Sequence, residues 1–126
     1  MSKEVLAIIA GAMKELGINY SFMEWKGKPV YPYFVGEYQE VEPYNEDGMQ
    51  ETAFILSGFS RETWLQLEEE KQKIKNYFNK VSGKTVIADN GAAVAVFYAN
   101  SLVVPTGDEE LKKIQINLTI KEWSVN

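Results

Sequence analysis

The chain has 126 residues, 13 basic and 18 acidic, with neither histidine nor cysteine. That length suits one domain able to bury roughly two thirds of its unfolded surface, so residues 1–126 read as a single domain, and no disulfide, thiolate nucleophile or cysteine-ligated zinc is available to it. The lack of histidine also removes the usual general base, the usual activator of serine and the commonest transition-metal ligand, so no catalytic residue, metal or cofactor is expected and an enzyme is the disfavoured class.

The charge is uneven. Residues 1–60 carry four Lys against nine acidic residues, whereas residues 61–126 carry nine of each. An acidic first half is a poor match for a phosphate backbone, so free nucleic acid is not an expected partner. The apolar stretch near the N-terminus is broken by Gly11 and ended by Lys14 and Glu15, too short to cross a bilayer and without a signal-peptide cleavage pattern, so no membrane partner is expected. Absence of cysteine fits a reducing compartment.

Val5, Ile8, Ile9, Ala12, Met13 and Leu16 recur at helical spacing, with Ser2 placed to cap the start and Gly17 the end. From Ile18 the period changes to two, and Tyr20 and Phe22, with an extension open over Met23 to Trp25, predict a strand that stops in the turn composition Lys26-Gly27-Lys28-Pro29, with a hairpin expected to follow. Val30 to Val41 is aromatic and β-branched, but Pro32 lacks a ladder donor, so this strand is expected at an edge, bulged, or starting after the proline. After an acidic turn at 42–48, Glu51 to Phe59 reads as a third strand with Ala53, Ile55 and Leu56 towards the core, and the three strands together read as an antiparallel meander.

Ser60 is placed to cap a second helix, whose stripe Trp64, Leu67, Lys71, Ile74, Phe78 and Val81 keeps a spacing of three and four. Beyond Ser82-Gly83, short strands are predicted at Thr85–Ala88, Ala93–Asn100, Ser101–Val104 and Lys113–Val125, the last with Ile114, Ile116, Leu118 and Ile120 in strict alternation. The order is helix, three strands, helix, then three or four strands, α-β-β-β-α-β-β-β if 93–104 is continuous. Strands in runs rather than alternating with helices predict an α+β fold: two helices on an antiparallel or mixed β-sheet.

Motifs for chemistry are sparse. The carboxylates Glu37, Glu40, Glu42, Glu46, Asp47 and Glu51 match no calcium-loop spacing and read as a solvated or partner-docking acidic segment. Glu24 and Glu37 offer a carboxylate pair, as any acidic chain does. Neither a nucleophile-elbow serine nor a glycine-rich phosphate loop occurs, and Asp89-Asn90-Gly91 reads as a hairpin turn. The density of aromatics at Tyr31, Tyr33, Phe34, Tyr38 and Tyr44 is open between core and interface; these five are the candidate oligomer or partner interface. A second reading makes Trp25, Tyr31 and Tyr33, with Glu24 or Glu37, the lining of a pocket for an amphipathic cation.

The run Trp25 to Tyr38, WKGKPVYPYFVGEY, continued by Gln50 to Phe59, QETAFILSGF, resembles small proteins of phage and prophage tail regions, in particular the tail terminator or tail-completion proteins of long-tailed phages. The resemblance implies a non-enzymatic virion structural protein. It would form a homo-oligomeric ring, usually a hexamer, on the last ring of the tail tube, and meet the tail tube protein and head-tail connector proteins. Such a protein is assembled in the host cytoplasm and ends in the virion tail.

Overall fold

A computed structural model describes residues 2–42, 48–79, 84–87 and 91–123. Its elements are α1 (Lys3–Glu15), β1 (Tyr20–Phe22), β2 (Tyr33–Glu42), β3 (Met49–Ser60), α2 (Trp64–Tyr77), β4 (Lys84–Ile87), β5 (Ala93–Val104) and β6 (Lys112–Trp123). This is the expected α+β fold in the expected order. The strands form one mixed six-stranded sheet in the order β1-β2-β3-β6-β5-β4, and both helices contribute to a core on one of its faces.

Local chemistry sets the helix ends. Ser2 Oγ accepts from the Val5 N–H at 3.4 Å, and at the other end Gly17 adopts φ 71°. Its N–H donates to the Lys14 carbonyl while that of Ile18 donates to Met13, the double closure that a left-handed residue permits. Val5, Ile9, Ala12 and Met13 are the buried stripe of α1. The second helix starts later than Ser60 suggests. Thr63 is its N-cap, accepting from the Gln66 N–H at 3.1 Å, and the Thr-x-x-Gln spacing is the signal for it. Ser60 is instead buried and accepts from the Glu62 N–H, so Glu62 precedes the helix. Leu67, Ile74 and Phe78 of the expected stripe are buried, whereas Trp64 is 44% exposed and Lys71 pairs with Glu68 at 2.6 Å; Val81 lies outside the described residues.

Two expectations about the first three strands are corrected. β1 pairs with β2 in parallel, Tyr20 opposite Phe34 and Phe22 opposite Gly36, while only β2 and β3 are antiparallel. The segment 23–32 therefore does not fold back as a hairpin but returns the chain to the starting end of β1. Met23 turns it with φ 69°, and Asn19 Nδ2 ties it down by donating to the Pro32 carbonyl at 3.1 Å. The strand after the proline begins at Tyr33, and the Tyr31–Pro32 bond is cis. On β3 the buried set is Gln50, Thr52, Phe54, Leu56, Gly58 and Ser60; Ala53 and Ile55 face the other way. Apolar residues occupy both phases of that strand, so alternation alone does not fix which face is covered. The predicted strands at 93–100 and 101–104 are one strand, with a register shift between Tyr98 and Asn100.

Two glycines let the covered face close. A Cβ on Gly58 would lie 2.3 Å from Phe34, its cross-strand partner, and one on Gly36 would lie 2.7 Å from Phe54 and from the Tyr20 hydroxyl. The rings of Phe34 and Phe54 thus occupy the space that side chains would fill, and both are fully buried.

Candidate functional site

The sheet is asymmetric. Its helix-covered face holds Phe34, Phe54, Leu56, Val94, Val96, Ile114, Ile116, Leu118 and Ile120, all nearly inaccessible. Among the described residues, no helix lies on the other face, and its side chains are mostly half-buried. The register orders that face in rows. Tyr33, Phe59, Lys113 and Val104 form one row, Glu37, Ile55, Asn117 and Asn100 another, and Glu51, Lys121 and Ala95 a third.

One end of this face is aromatic. Tyr33 stacks on Phe59 at 5.1 Å between ring centroids and lies 4.9 Å from Trp25 and 5.5 Å from Tyr31. Lys113 Nζ sits 5.4 Å from the Phe59 ring centre, within cation–π range. Burial and the neighbouring Tyr31 push the Tyr33 hydroxyl above its ordinary pKa, although nearby Arg61 opposes this. Trp25 and Tyr33 line a groove of about 360 Å³ together with Met23, Glu24, Glu37 and Phe59. Further along, the middle is an amide ladder: Gln115 Nε2 donates to Asn117 Oδ1 at 3.0 Å, and Asn117 Nδ2 donates to Asn100 Oδ1 at 2.6 Å.

Arg61 anchors the aromatic end to the loop before β6. It donates to the Tyr31 hydroxyl at 3.3 Å and pairs with Asp108 at 3.2 Å. The Glu110 N–H, and then Arg61, hold the Asp108 carboxyl below its ordinary range. A second groove of about 430 Å³ adjoins that loop, lined by Trp64, Val103, Pro105 and Asp108 among others.

The five candidate interface residues are therefore dispersed. Tyr31 and Tyr33 lie together at the aromatic end. Phe34 is spent in the core. Tyr38, 42% exposed, points to the helix-bearing side and stacks with Phe22 at 6.1 Å. Tyr44 lies outside the described residues, as do Glu46 and Asp47 of the acidic segment. Trp25, Tyr33, Glu24 and Glu37 of the alternative pocket do meet in one groove. Phe59, which completes that cluster, and the ladder Asn100, Gln115 and Asn117 were not singled out from sequence; the polar phase of β6, Gln115, Asn117 and Thr119, is the signal for the ladder.

The fold recurs in solved structures. One chain of a structure described as the virion of a native gene transfer agent particle superposes with a TM-score of 0.64 and 8% identity, over 91% of this chain and 86% of that one. A second solved chain superposes with a TM-score of 0.70 and 12% identity, over 100% and 99%. At such identities these likenesses show the shared fold. No protein-family profile and no curated protein matches the sequence.

Among the described residues, no three acidic side chains group to hold a metal ion. None of the helices there is long and apolar enough to cross a membrane.

Proposed function

We propose that this chain is a virion structural protein of a phage or prophage tail, a tail terminator that closes a homo-oligomeric ring on the end of the tail tube. The observation that carries the reading is the fold shared with a chain of the gene transfer agent virion, joined to the sequence resemblance at Trp25–Tyr38 and Gln50–Phe59. In this reading the chain performs no chemistry. Its work is burial of surface: a helix-covered face for stability, and an uncovered face and aromatic end available to neighbours. A ring of six needs two different patches per subunit, and the acidic first half and balanced second half of the chain are compatible with that. Its partners would be further copies of itself, the tail tube protein and head-tail connector proteins, met in the host cytoplasm during assembly and retained in the virion tail.

The test is solution mass by light scattering over a concentration series, with the purified protein also mixed with tail tubes and viewed by electron microscopy. Particles of six times the 14.3 kDa chain mass, or rings seated on tube ends, are expected. A chain that stays single and leaves tubes uncapped would sink the reading. Tyr31→Ala with Tyr33→Ala should weaken assembly while leaving the circular dichroism spectrum unchanged; intact rings would remove that end from the interface.

A second reading, a small module binding an amphipathic organic cation, is favoured by the groove that brings Trp25, Tyr33, Glu24 and Glu37 together. A free ligand at a hundred times its dissociation constant should stabilise the fold by about 2.7 kcal/mol, which a thermal-shift screen of organic cations would detect.

A further inference from the structure

The groove at the aromatic end combines two features that seldom serve packing alone. Tyr33 is surrounded by Trp25, Tyr31 and Phe59 at centroid distances of 4.9, 5.5 and 5.1 Å. Two carboxylates, Glu24 and Glu37, line the same space. Aromatic rings attract a cation, and carboxylates add to that attraction, whereas a purely apolar occupant would strip water from both acids without replacing it. The cations beside the groove do not saturate it: Lys113 lies 5.4 Å from the ring centre of Phe59 alone, and Lys26 reaches Glu24 at 3.8 Å with both side chains largely in water, a pairing of little strength. Glu37 has no ion-pair partner among the described residues.

We infer that this groove receives the guanidinium or ammonium group of an arginine or lysine side chain presented by a partner protein. The inference rests on the virion reading and gives the chemistry of one of its contacts. At about 360 Å³ the space is near the lower end of small-molecule sites, and such sites enclose most of their ligand's surface. This one lies open on the sheet, so a free cation would be covered on one side only. A side chain held on a partner's backbone loses little further translational freedom when it enters. The groove also continues through Phe59 and Lys113 into the uncovered face, so a partner lying on that face reaches it. Arginine suits it better than lysine, because a planar guanidinium stacks on rings and pairs with carboxylates at once.

The full chain, labelled with nitrogen-15, is titrated with N-acetylarginine methylamide, with its neutral citrulline counterpart and with tetramethylammonium. The expected result is a saturable millimolar shift of the Trp25 indole N–H with the arginine probe and none with citrulline. Glu24→Gln with Glu37→Gln should weaken it several-fold, and Trp25→Leu should abolish it, both variants keeping a dispersed spectrum. A silent Trp25, an equal response to citrulline, or indifference to the two Gln substitutions would overturn the inference. Tetramethylammonium binding far more tightly than the arginine probe would also overturn it, in favour of a free organic cation. Because the titration reads single chains, rings with a silent Trp25 would leave the virion reading standing and remove this one. A response that passes every control in a chain that never assembles would keep the groove and remove the ring.

Discussion

The two faces of one sheet follow different rules. At the centre of the covered face, residues two apart are large and apolar, with Gln50, Thr52, Ser60 and Glu122 buried towards the strand ends, and where two rings need room the strand supplies Gly36 or Gly58 instead of a side chain. On the uncovered face the same strands carry Glu37, Ile55, Asn117 and Asn100 in one row and aromatics with a lysine in another. The first pattern is complete within the chain; the second leaves half-buried groups that a neighbour is able to cover. The difference teaches that alternate residues of β3 and β6 meet different surroundings, one phase in the core and the other half-buried, so that in the proposed virion reading stability and assembly would be separable.

The largest expected effect is on the covered side. Phe54→Ala empties a fully buried site and should cost about 3–5 kcal/mol in chemical denaturation; a loss below about 1 kcal/mol would mean that the covered face is not the stabilising one. Gly58→Ala comes next. Its new methyl meets Phe34 at 2.3 Å, and overpacking of this kind costs about 1–3 kcal/mol. Adding Phe34→Leu should recover part of that loss, a coupling that a double-mutant cycle reads directly.

Alkaline titration tests the same face from its edge. Burial pushes the Tyr20 hydroxyl from 10.0 up to about 12, so the folded state favours the neutral phenol. The stability it contributes is fully present below pH 10 and is lost as pH rises through about 12. Discounted for partial exposure, that contribution is on the order of 1–2 kcal/mol, and Tyr20→Phe should flatten the alkaline limb of the stability profile.

On the uncovered face, Ile55→Thr should change single-chain stability by no more than about 0.5–1 kcal/mol while lowering assembly in light scattering. A stability loss matching that of Phe54→Ala would erase the distinction between faces. The smallest effect belongs to Asp108→Asn. Its carboxylate and Arg61 are exposed at the surface, so no measurable change in melting temperature at neutral pH is expected. Because its folded pKa is depressed, whatever it contributes is present above the unfolded value and fades as pH falls through the folded one.

Much of the architecture was legible because it depends on local pattern. The stripe from Val5 to Met13, the caps Ser2 and Gly17, and the alternation from Ile114 to Ile120 each state their element through a period or a cap. The candidate site was legible only in part. Trp25, Tyr33, Glu24 and Glu37 drew notice as residue types, but the linear density of tyrosines grouped Phe34 and Tyr38 with Tyr33, although strand alternation sends them to the opposite face. The sequence by itself determined the kinds of element, their order and the absence of histidine and cysteine chemistry, though not the start of α2 or the continuity of β5, because composition and periodicity are properties of short stretches of chain. Only the tertiary structure decided that β1 runs parallel to β2, that Phe54 rather than Ile55 enters the core, and that Phe59 joins Tyr33. Those outcomes depend on strand register and on where the helices settle, and a strand that is apolar in both phases leaves both choices open until its neighbours are in place.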